Sequence, residues 1–429
     1  MERRQRIIIV GGGFAGLNFL KKIDKKKYEV LVVDKNNFHS FPPLFYQIAS
    51  GGLDPSSISF PLRREMRKNP ARGARFHLGE VKSIDLARKE IHTQFETLSF
   101  DKLIIAAGTT NNFFGNPDLV KYVYTLKSAP EAMRCRDEIL DRLERASLTK
   151  DPVLKHRLLS FVVIGGGPTG VEVAGALGEM KRDIIKREYP DIKVNEVNIT
   201  LFEGANRLLG AMSEESSADA LRYLEKLMVD VRLGTLMKSY ADNIVTLNDG
   251  STIEAGMVIW TAGITGVGFQ FEGTDVKPGP GGRFVVDRNS QVVGMPDVYA
   301  LGDIAYMVSE DFPKGMPQLA QVAIQQAKHL AKVLNSDGKK SIKPFEYVDK
   351  GSMATVGRNL AVADLKKIHL SGKMAWFTWM FIHLISILGM RNKVTVLINW
   401  IWAYFTYSTS LRLLIHTARY PLRSRWGER

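Results

Sequence analysis

The sequence predicts an α/β fold with two Rossmann-like dinucleotide-binding domains, followed by a C-terminal membrane-associating helical segment. Three observations predict it: a glycine turn at Gly11, a second glycine turn at Gly165, and a basic tail rich in tryptophan. The two turns stand in similar stretches, IIIVGGGFAG from Ile7 and FVVIGGGPTG from Phe161. With 429 residues, the chain is long enough for two or three domains with complete cores.

The first turn has the full pattern of a dinucleotide-binding unit. The apolar run Arg6–Val10 precedes it, the helical sequence Leu17–Ile23 follows it, and a second apolar run, Glu29–Val33, ends at Asp34. Glycines permit the tight turn and a close approach to a pyrophosphate, while the helix N-terminus faces the phosphates. Asp34 stands where an acid can hold a ribose diol. The residues predicted to bind a dinucleotide here are Gly11, Gly13, Phe14, Ala15, Gly16 and Asp34.

The second turn repeats the pattern with a longer spacing. The run Leu159–Ile164 precedes it, a helix is predicted to about Arg187, and the next run ends at Glu203. The stretch KREYPDIKVNE is predicted to lengthen the helix and add a loop. Glu203 would repel a 2′-phosphate, which favours NADH, although Arg207 leaves NADPH open. The residues predicted to bind this second dinucleotide are Gly165, Gly167, Pro168, Thr169, Gly170 and Glu203.

Cysteine usage excludes several classes of protein. The single cysteine, Cys135, rules out a disulfide framework, a cysteine metal cluster and a cysteine pair that relays electrons. Its position in the predicted helix Ala129–Leu143 favours a buried structural thiol. No metal site is predicted. No apolar stretch of signal-peptide length precedes the first strand, so secretion is not expected.

Three further strand ends complete a family pattern. Leu103–Gly115 and Met257–Ile264 are each a buried strand entering a glycine turn, and Asp303 follows a strand at the carboxyl edge, where ligands bind. Over about residues 3–330 the chain resembles the glutathione-reductase-like flavoproteins. The resemblance implies FAD in the first fold, a pyridine nucleotide in the second, and a contact with the flavin ribityl chain at Gly302 and Asp303. It also implies FAD contacts at Lys35, His39, Ala107 and Gly108, and an NAD contact at Gly263. For His39, a purely structural role is equally open.

Two further motifs resemble those of type II NADH:quinone oxidoreductases. They are HSFPPLFYQ (His39–Gln47) and AQVAIQ (Ala320–Gln325), and the stretch His39–Leu53 lacks the cysteines of disulfide reductases. The resemblance implies a quinone that meets the flavin directly, with Gln321 and Gln325 on one helix face donating to its carbonyls. Gln318 and Gln326 are expected on a solvated face instead. The quinone residues implied are Pro43, Tyr46, Gln47, Gln321 and Gln325, and Lys373 is predicted to approach them.

Glu172 completes the set of residues predicted to be catalytic, with Gln321 and Gln325; Gln321 is also an expected FAD contact. Glu172 lies on the first turn of the helix after the second glycine turn. The resemblance places it near the nicotinamide and the flavin. Whether it supplies protons or only positions the nicotinamide is left open by the sequence.

The tail predicts two helices that lie in a membrane interface. From Lys366 to the C-terminus, Lys and Arg outnumber the acids ten to one. Its two apolar runs, from Lys373 and from Val394, fall short of the roughly 20 residues that span a bilayer. The aromatic residues expected at the headgroup level are Trp376, Trp379, Trp400, Trp402, Tyr404 and Tyr407. The residues expected to meet anionic lipid are Arg412, Arg419, Arg423 and Arg425.

These expectations combine into one functional prediction. Segments 1–120 and 277–345 form the FAD domain, 121–276 the inserted NAD(H) domain and 346–429 the membrane-associating domain. The chain is predicted to oxidise NADH and reduce ubiquinone or menaquinone through FAD, as a peripheral protein and homodimer on the cytoplasmic face of the membrane. The alternative is a soluble FAD-dependent NAD(P)H reductase with a protein acceptor. Nucleic-acid binding is not expected, because the positive charge lies among tryptophan-rich apolar helices.

Overall fold

The computed structural model describes residues 3–67, 72–338, 341–366, 368–406 and 412–414. The chain divides into two compact units. Unit 1 comprises Met1–Phe41, Ser59–Gly115 and Gly263–Gly351. Unit 2 comprises Pro42–Ile58, Asn116–Ala262 and Ser352–Arg429.

The α-helices of the described residues, in chain order, are α1 (Phe14–Lys22), α2 (Phe45–Ala49), α3 (Leu62–Met66), α4 (Ala129–Leu148), α5 (Pro152–Leu158), α6 (Pro168–Glu179), α7 (Lys186–Glu188), α8 (Glu214–Lys226), α9 (Ala320–Ser336), α10 (Gly372–Ser386) and α11 (Met390–Thr406). A π-helix, Met180–Ile185, joins α6 to α7.

The strands of the same residues are β1 (Gln5–Val10), β2 (Tyr28–Asp34), β3 (Phe38–Ser40), β4 (Ser59–Pro61), β5 (Arg75–Leu78), β6 (Val81–Asp85), β7 (Glu90–Thr93), β8 (Thr97–Ser99), β9 (Lys102–Ile105), β10 (Thr109–Asn111), β11 (Tyr124–Thr125), β12 (Ser160–Ile164), β13 (Asn198–Phe202), β14 (Asp230–Arg232), β15 (Met237–Ala241), β16 (Ile244–Leu247), β17 (Thr252–Glu254), β18 (Met257–Trp260), β19 (Ile264–Gly266), β20 (Gln270–Glu272), β21 (Phe284–Val286), β22 (Val298–Ala300), β23 (Ala305–Met307), β24 (Ser352–Gly357), β25 (Leu360–Leu365) and β26 (Ile368–Ser371).

Unit 1 is built on a parallel sheet with the strand order β22-β9-β1-β2-β5. In the central strand β1, Ile8 lies opposite Leu31 of β2 and Leu103 of β9. All three side chains are buried, as expected for a parallel sheet covered on both faces. Helices α1 and α9 pack against each other, which brings the helix after the glycine turn beside the AQVAIQ helix.

Unit 2 repeats this construction with the parallel order β11-β18-β12-β13-β14. A three-stranded antiparallel sheet, β24-β25-β26, comes later in the chain and leads into α10 and α11. Helix α6 packs on β24. The approach is close at Gly175, where an added Cβ would lie 1.7 Å from the carbonyl oxygen of Val356.

The predicted fold class agrees with these two units and the helices that come after them. The predicted elements end within a few residues of the observed ones. The helix predicted to run to about Arg187 continues to Glu188, with the π-helix between α6 and α7. Cys135 is fully buried in α4, and burial raises the pKa of its thiol, which agrees with a structural role.

The compact units differ from the predicted domain limits in three places. Residues Pro42–Ile58, predicted in the FAD domain, group with unit 2, because α2 packs on α4 and α6. Unit 1 resumes at Gly263, ahead of the predicted position 277, because β19 pairs with β10 of the same unit. The segment from Ser352 onward groups with the second glycine fold, because α6 packs on β24. The assignment of a cofactor to each predicted domain stays a prediction.

Gly175→Ala tests the contact between α6 and β24. Overpacking a tight contact typically costs about 1–3 kcal/mol, which outweighs the gain in helix propensity of at most about 1 kcal/mol. We therefore expect a lower midpoint in thermal unfolding of the FAD-loaded protein. The control is Gly210→Ala, where an added Cβ meets nothing within 4 Å. Equal midpoints for the two variants would contradict the close approach.

Candidate cofactor and acceptor sites

The first glycine turn is tightly packed at Gly11 and Gly16 and open at Gly13. Gly11 has φ of +108°, and an added Cβ would lie 2.4 Å from the carbonyl oxygen of Ala106. A Cβ on Gly16 would lie 1.9 Å from the carbonyl oxygen of Gly11, so helix and turn touch. By contrast, a Cβ on Gly13 meets nothing within 4 Å, and α1 begins at Phe14, the next residue. This open space at a helix N-terminus suits a pyrophosphate.

Asp34, at the end of β2, hydrogen-bonds to the backbone of the turn. One carboxylate oxygen accepts from the backbone N–H of Gly12 at 2.6 Å, and the other from that of Asn36 at 2.7 Å. Burial raises the pKa of Asp34, and these two donors oppose the rise because they stabilise the ionised form. Lys35 is exposed beside it.

His39 lies beneath the same turn. Its Nδ1 is 3.0 Å from the carbonyl oxygen of Gly12, so Nδ1 carries the hydrogen and donates. The ring meets Phe14 edge-on, with centroids 5.4 Å apart. Burial lowers the pKa of His39 to about 4, so the ring is neutral at physiological pH. These contacts place His39 at the glycine turn, and its contact with the flavin stays a prediction.

Gly302 follows strand β22 in unit 1. Gly302 has φ of +74°, and its N–H donates to the amide oxygen of Gln326 at 2.8 Å. Gln318 donates to the carbonyl oxygen of Asp303 at 3.0 Å. Gln326 is therefore not on a solvated face as predicted: it is 1% exposed and holds the Gly302 turn. Its side chain points inward because a buried N–H needs an acceptor.

The other strand-end glycines adopt conformations that favour glycine. Gly108, which follows Ala107 after β9, has φ of +70° and open space where a Cβ would be. Gly263 has φ of +73°, and a Cβ there would lie 2.5 Å from the ring of Phe114. Both positions border the carboxyl ends of their strands, as expected for ligand-binding turns.

Gln321 and Gln325 both bond to the backbone of the segment 348–351. Gln325 accepts from the N–H of Val348 at 3.1 Å and donates to its carbonyl at 2.9 Å. Gln321 accepts from the N–H of Lys350 at 3.1 Å and donates to the carbonyl of Gly351 at 3.1 Å. The two amides thus lie on one helix face, as predicted, and hold an extended segment there. Their role toward a quinone stays a prediction.

The second glycine turn, in unit 2, repeats the first in detail. Gly165 also has φ of +108°, and a Cβ on Gly170 would lie 1.7 Å from the Gly165 carbonyl oxygen. Gly167 has open space, and α6 begins at the next residue, Pro168. Glu203 accepts from the N–H of Gly166 at 2.5 Å, as Asp34 does from Gly12. Thr169, on the first turn of α6, is exposed.

Arg207, the residue that kept NADPH possible as the cofactor, hydrogen-bonds to the backbone of its own loop. Its guanidinium donates to the carbonyl oxygens of Met212 at 3.1 Å and Gly210 at 2.8 Å. Glu203 accepts a second bond from the N–H of Ala205 at 2.7 Å, which holds its carboxylate at the ribose end of the turn. An anionic side chain there disfavours a 2′-phosphate.

Unit 2 contains a cavity of about 170 Å³ with mostly apolar walls. Its lining includes the predicted residues Tyr46, Gln47 and Glu172, and residues that the sequence analysis did not assign to a site. The principal added residues are Glu179, Thr355, Arg358, Trp376, Trp379, Trp400 and Tyr404. The other predicted quinone residues, Pro43, Gln321, Gln325 and Lys373, are not among the residues that line this cavity; Lys373 is exposed at the start of α10.

Glu172 enters the cavity from α6. Only 7% of the residue is exposed. Burial raises the pKa of Glu172 well above the ordinary range for a carboxyl group, while the nearby backbone N–H of Thr355 favours the ionised form and so opposes that rise. A carboxyl group in this environment holds its proton at higher pH than an exposed one, which suits a proton donor.

A chain of hydrogen bonds orients the Tyr46 hydroxyl. The indole Nε1 of Trp400, which can only donate, bonds to the amide oxygen of Gln47 at 2.8 Å. The amide nitrogen of Gln47 then donates to the Tyr46 hydroxyl oxygen, also at 2.8 Å. Tyr46 therefore accepts in this bond, and its own proton is left for another acceptor. Burial, together with the charge of Glu172, raises the pKa of Tyr46, so the hydroxyl keeps that proton.

Trp379 also lines the cavity and carries a buried hydrogen-bond donor. Trp379 is 1% exposed, and its ring stacks on that of His383 with centroids 4.0 Å apart. Its indole Nε1 has no hydrogen-bond partner among the residues that the structure describes. A buried N–H without an acceptor is rare. The prediction that Trp379 and Trp400 lie at the headgroup level is wrong, because both are buried between α10, α11 and the cavity. Composition alone could not distinguish them from the exposed Trp402.

Comparisons with known proteins agree on one family. The pyridine nucleotide-disulphide oxidoreductase model matches residues 5–327, and the NDH2 C-terminal domain model matches residues 350–407. The type II NADH:quinone oxidoreductase Ndh of Mycobacterium tuberculosis is 34% identical over 415 residues, covering 93% of this chain and 88% of the relative. The chain belongs to the type II NADH:quinone oxidoreductases. This membership confirms the predicted family and fold class.

More distant relatives agree with this family. The mitochondrial internal alternative NAD(P)H-ubiquinone oxidoreductase A1 of Arabidopsis thaliana is 30% identical, covering 94% of this chain and 84% of that protein. The structure of NDH2 from Plasmodium falciparum in complex with NADH has a TM-score of 0.88. The match covers 96% of this chain and 100% of the Plasmodium falciparum chain. At 24% sequence identity, it supports the fold alone.

Glu203→Ala combined with Ala205→Arg tests nucleotide selection at the second turn. The change removes the acid that disfavours a 2′-phosphate and adds a cation on an exposed position of the same loop. A charge-assisted hydrogen bond contributes about 1.5–3 kcal/mol, so we expect the kcat/KM ratio of NADPH to NADH to rise by about tenfold or more. The single variant Arg207→Ala is the control and should leave the ratio unchanged. A ratio that moves only in the control would refute the role of Glu203.

Proposed function

We propose that the chain oxidises NADH through FAD and reduces a quinone in the cavity of unit 2, without pumping protons. The predicted activity and the cofactors FAD and NADH are confirmed by the family to which the chain belongs. The site residues are the part that we propose here. The alternative of a soluble reductase loses its basis, because residues 350–407 match the NDH2 C-terminal domain.

The residues of unit 1 fit FAD. Gly11 and Gly16 bring backbone together at the turn, Gly13 leaves open space at the start of α1, and Asp34 is held at the end of β2. The neutral His39 lies under the turn, and Gln326 fixes the Gly302 turn beside Asp303. Bound FAD supplies the two-electron carrier between NADH and the quinone.

The residues of unit 2 fit NADH. The open space at Gly167 and the N-terminus of α6 suit the pyrophosphate, and Glu203 suits a ribose with a free 2′-hydroxyl. Glu172 lies one turn into the same helix, so the nicotinamide-binding helix also carries a cavity acid. This arrangement supports a role for Glu172 in proton supply.

One observation carries the assignment of the cavity: the buried indole N–H of Trp379 has no partner within the described part of the protein. A quinone headgroup offers only carbonyl acceptors, so its site must supply donors. Trp379 and the free proton of Tyr46 are two such donors in a cavity with apolar walls. A ligand that accepts from both would satisfy groups that otherwise remain unpaired at a cost.

The helices that line the cavity also present an apolar outer surface. On α10 the exposed residues Met374, Phe377, Phe381 and Ile385 recur at helical spacing, so they share one face. On α11 the exposed apolar residues are Val394, Leu397, Ile398, Ile401, Trp402 and Phe405. Among the described residues, none of the helices is long and apolar enough to cross a membrane. These faces support a peripheral protein that lies on the bilayer, from which a lipid-soluble quinone arrives.

The finer parts of the membrane prediction stay proposals. They are the cytoplasmic face, the homodimer and the choice between ubiquinone and menaquinone. Arg412 forms an ion pair with Glu188, so its predicted contact with anionic lipid competes with that pair. Tyr407, Arg419, Arg423 and Arg425 lie outside the described residues.

Trp379→Phe tests the quinone site, because it removes the N–H and keeps an aromatic ring. Loss of one hydrogen bond costs about 0.5–1.5 kcal/mol, so we expect the KM for a short-chain quinone to rise roughly three- to tenfold. Stopped-flow absorbance should show unchanged reduction of the flavin by NADH. Thermal stability should not fall, since the lost N–H has no partner among the described residues.

The matched control is Trp402→Phe, because Trp402 is 59% exposed on the outer face of α11. Its quinone KM should equal that of the wild type when the quinone is added in detergent. An unchanged KM in Trp379→Phe would refute the donor role of Trp379. Reduced protein that no quinone reoxidises would refute the proposed function as a whole.

Phe377→Asp combined with Phe381→Asp tests the membrane face. The two side chains are 51% and 63% exposed, and burying a Phe contributes about 1.5–3 kcal/mol. Losing both should reduce binding to liposomes by at least about a hundredfold in a flotation assay. The control is Phe95→Asp, a 70% exposed Phe in unit 1, which should still float with the vesicles. Equal flotation of both variants would contradict the membrane face.

A further inference from the structure

We propose that Glu179 is the relay residue that passes a proton from solvent into the cavity during quinone reduction. The inference rests on the proposed function of the cavity. It adds a second carboxyl group to Glu172, the acid that the family resemblance indicated. This second group lies at the C-terminal end of α6, away from the second glycine turn. Glu179 is the last residue of α6 and lines the same cavity as Glu172.

The two acids lie along one face of α6. They are seven residues apart, which is close to two helical turns and about 10 Å along the axis. The backbone N–H of Thr355 favours the ionised form of Glu172, and Glu179 accepts a hydrogen bond from the backbone N–H of Arg358 at 2.6 Å. Between them, Gly175 packs on the Val356 carbonyl. The end of β24 thus fixes both carboxyl groups toward the cavity.

Glu179 differs from Glu172 in its access to water. Its side chain is 28% exposed, whereas the Glu172 residue is 7% exposed. Of the two cavity acids, Glu179 is therefore the one that exchanges protons with solvent more readily. A Cβ on Gly357 would lie 3.0 Å from a Glu179 oxygen, so the glycine leaves the space that this carboxyl group occupies.

The charged neighbours of Glu179 are Arg182, Asp183 and Arg358. The guanidinium of Arg182 lies 2.7 Å from Asp183 but 3.8 Å from Glu179, so Asp183 is its nearer partner. Burial raises the pKa of Glu179, the N–H of Arg358 and the charge of Arg182 oppose that rise, and the charge of Asp183 adds to it. The charge of Asp183 thereby favours the protonated form of Glu179.

The overall reaction requires one proton from water. NADH, one proton and a quinone become NAD⁺ and a quinol, because the hydride carries two electrons and only one of the two hydrogens that the quinol gains. The second hydrogen must reach a cavity with mostly apolar walls. Glu179 releases its proton toward Glu172 or the quinone oxygen and takes the next one from solvent.

Glu179→Gln tests the relay in the full-length, FAD-loaded protein. The variant is reduced anaerobically with NADH, then mixed in a stopped-flow instrument with a short-chain ubiquinone analogue. We expect unchanged reduction by NADH and reoxidation slowed by about tenfold or more, since a positioned acid contributes at least that factor. The part of the alkaline fall in reoxidation rate that reports deprotonation of Glu179 should disappear, because Gln does not titrate, while any part due to Glu172 remains.

Asp183→Asn gives an independent measurement, with Glu225→Gln as the control. Without the negative charge of Asp183, the pKa of Glu179 falls, so Glu179 loses its proton at lower pH. The alkaline fall in the reoxidation rate should therefore move to lower pH, which a purely structural defect would not produce. Glu225 is an exposed acid on α8, and its variant should match the wild type.

The outcomes separate the relay from the proposed function. If quinone fails to reoxidise the reduced wild type, the proposed function falls and the relay with it. If the wild type reoxidises rapidly and Glu179→Gln matches it in rate and pH profile, the relay is refuted while the proposed function stands. The same holds if Glu225→Gln is slowed as much as Glu179→Gln. If Glu179→Gln does not bind FAD, an unshifted profile in Asp183→Asn refutes the relay.

Discussion

The contact between α6 and β24 is the constraint on which the organisation of unit 2 depends. A side chain at Gly175 would collide with the Val356 carbonyl, so the helix lies directly against the strand. At this distance, backbone N–H groups at the end of β24 meet the carboxyl groups of Glu172 and Glu179. Removing a carboxyl group from water is costly unless it is hydrogen-bonded. The close packing provides those bonds and fixes both side chains at one cavity.

The two glycine turns are stabilised by the same kind of hydrogen bond to an acid. In each, an acid at the end of the second strand accepts from the second glycine of the turn, Gly12 for Asp34 and Gly166 for Glu203. In each, the third glycine has open space before the helix begins. The repeated feature is therefore the turn together with its acid. The two folds differ in the helix after the turn, since only α6 carries an acid one turn later.

The sequence predicted those features whose causes are local. The glycine turns, their strands and their acids lie within short stretches, so spacing alone identifies them. The partners of Gln325 and Gln326 come from distant segments, and these adjacent residues have different environments: Gln326 holds buried Gly302, while Gln325 holds Val348. Trp379 and Trp402 differ in the same way, one buried and one exposed. Burial in the tail depends on how α10 and α11 pack, which composition does not encode.

Helix α6 connects the proposed nicotinamide-binding turn to the two acids of the cavity. Its N-terminus faces the open space at Gly167, where the nicotinamide dinucleotide is proposed to bind, and its C-terminus carries Glu179 at the cavity margin. Glu172 lies between them. A helix held along its length by β24 keeps these groups at constant spacing. The π-helix after α6 then turns Asp183 into the cavity lining, beside the acid whose proton it helps to retain. The departure from α-helical geometry begins at Met180, the residue after Glu179, so the π-helix separates the relay acid from α7.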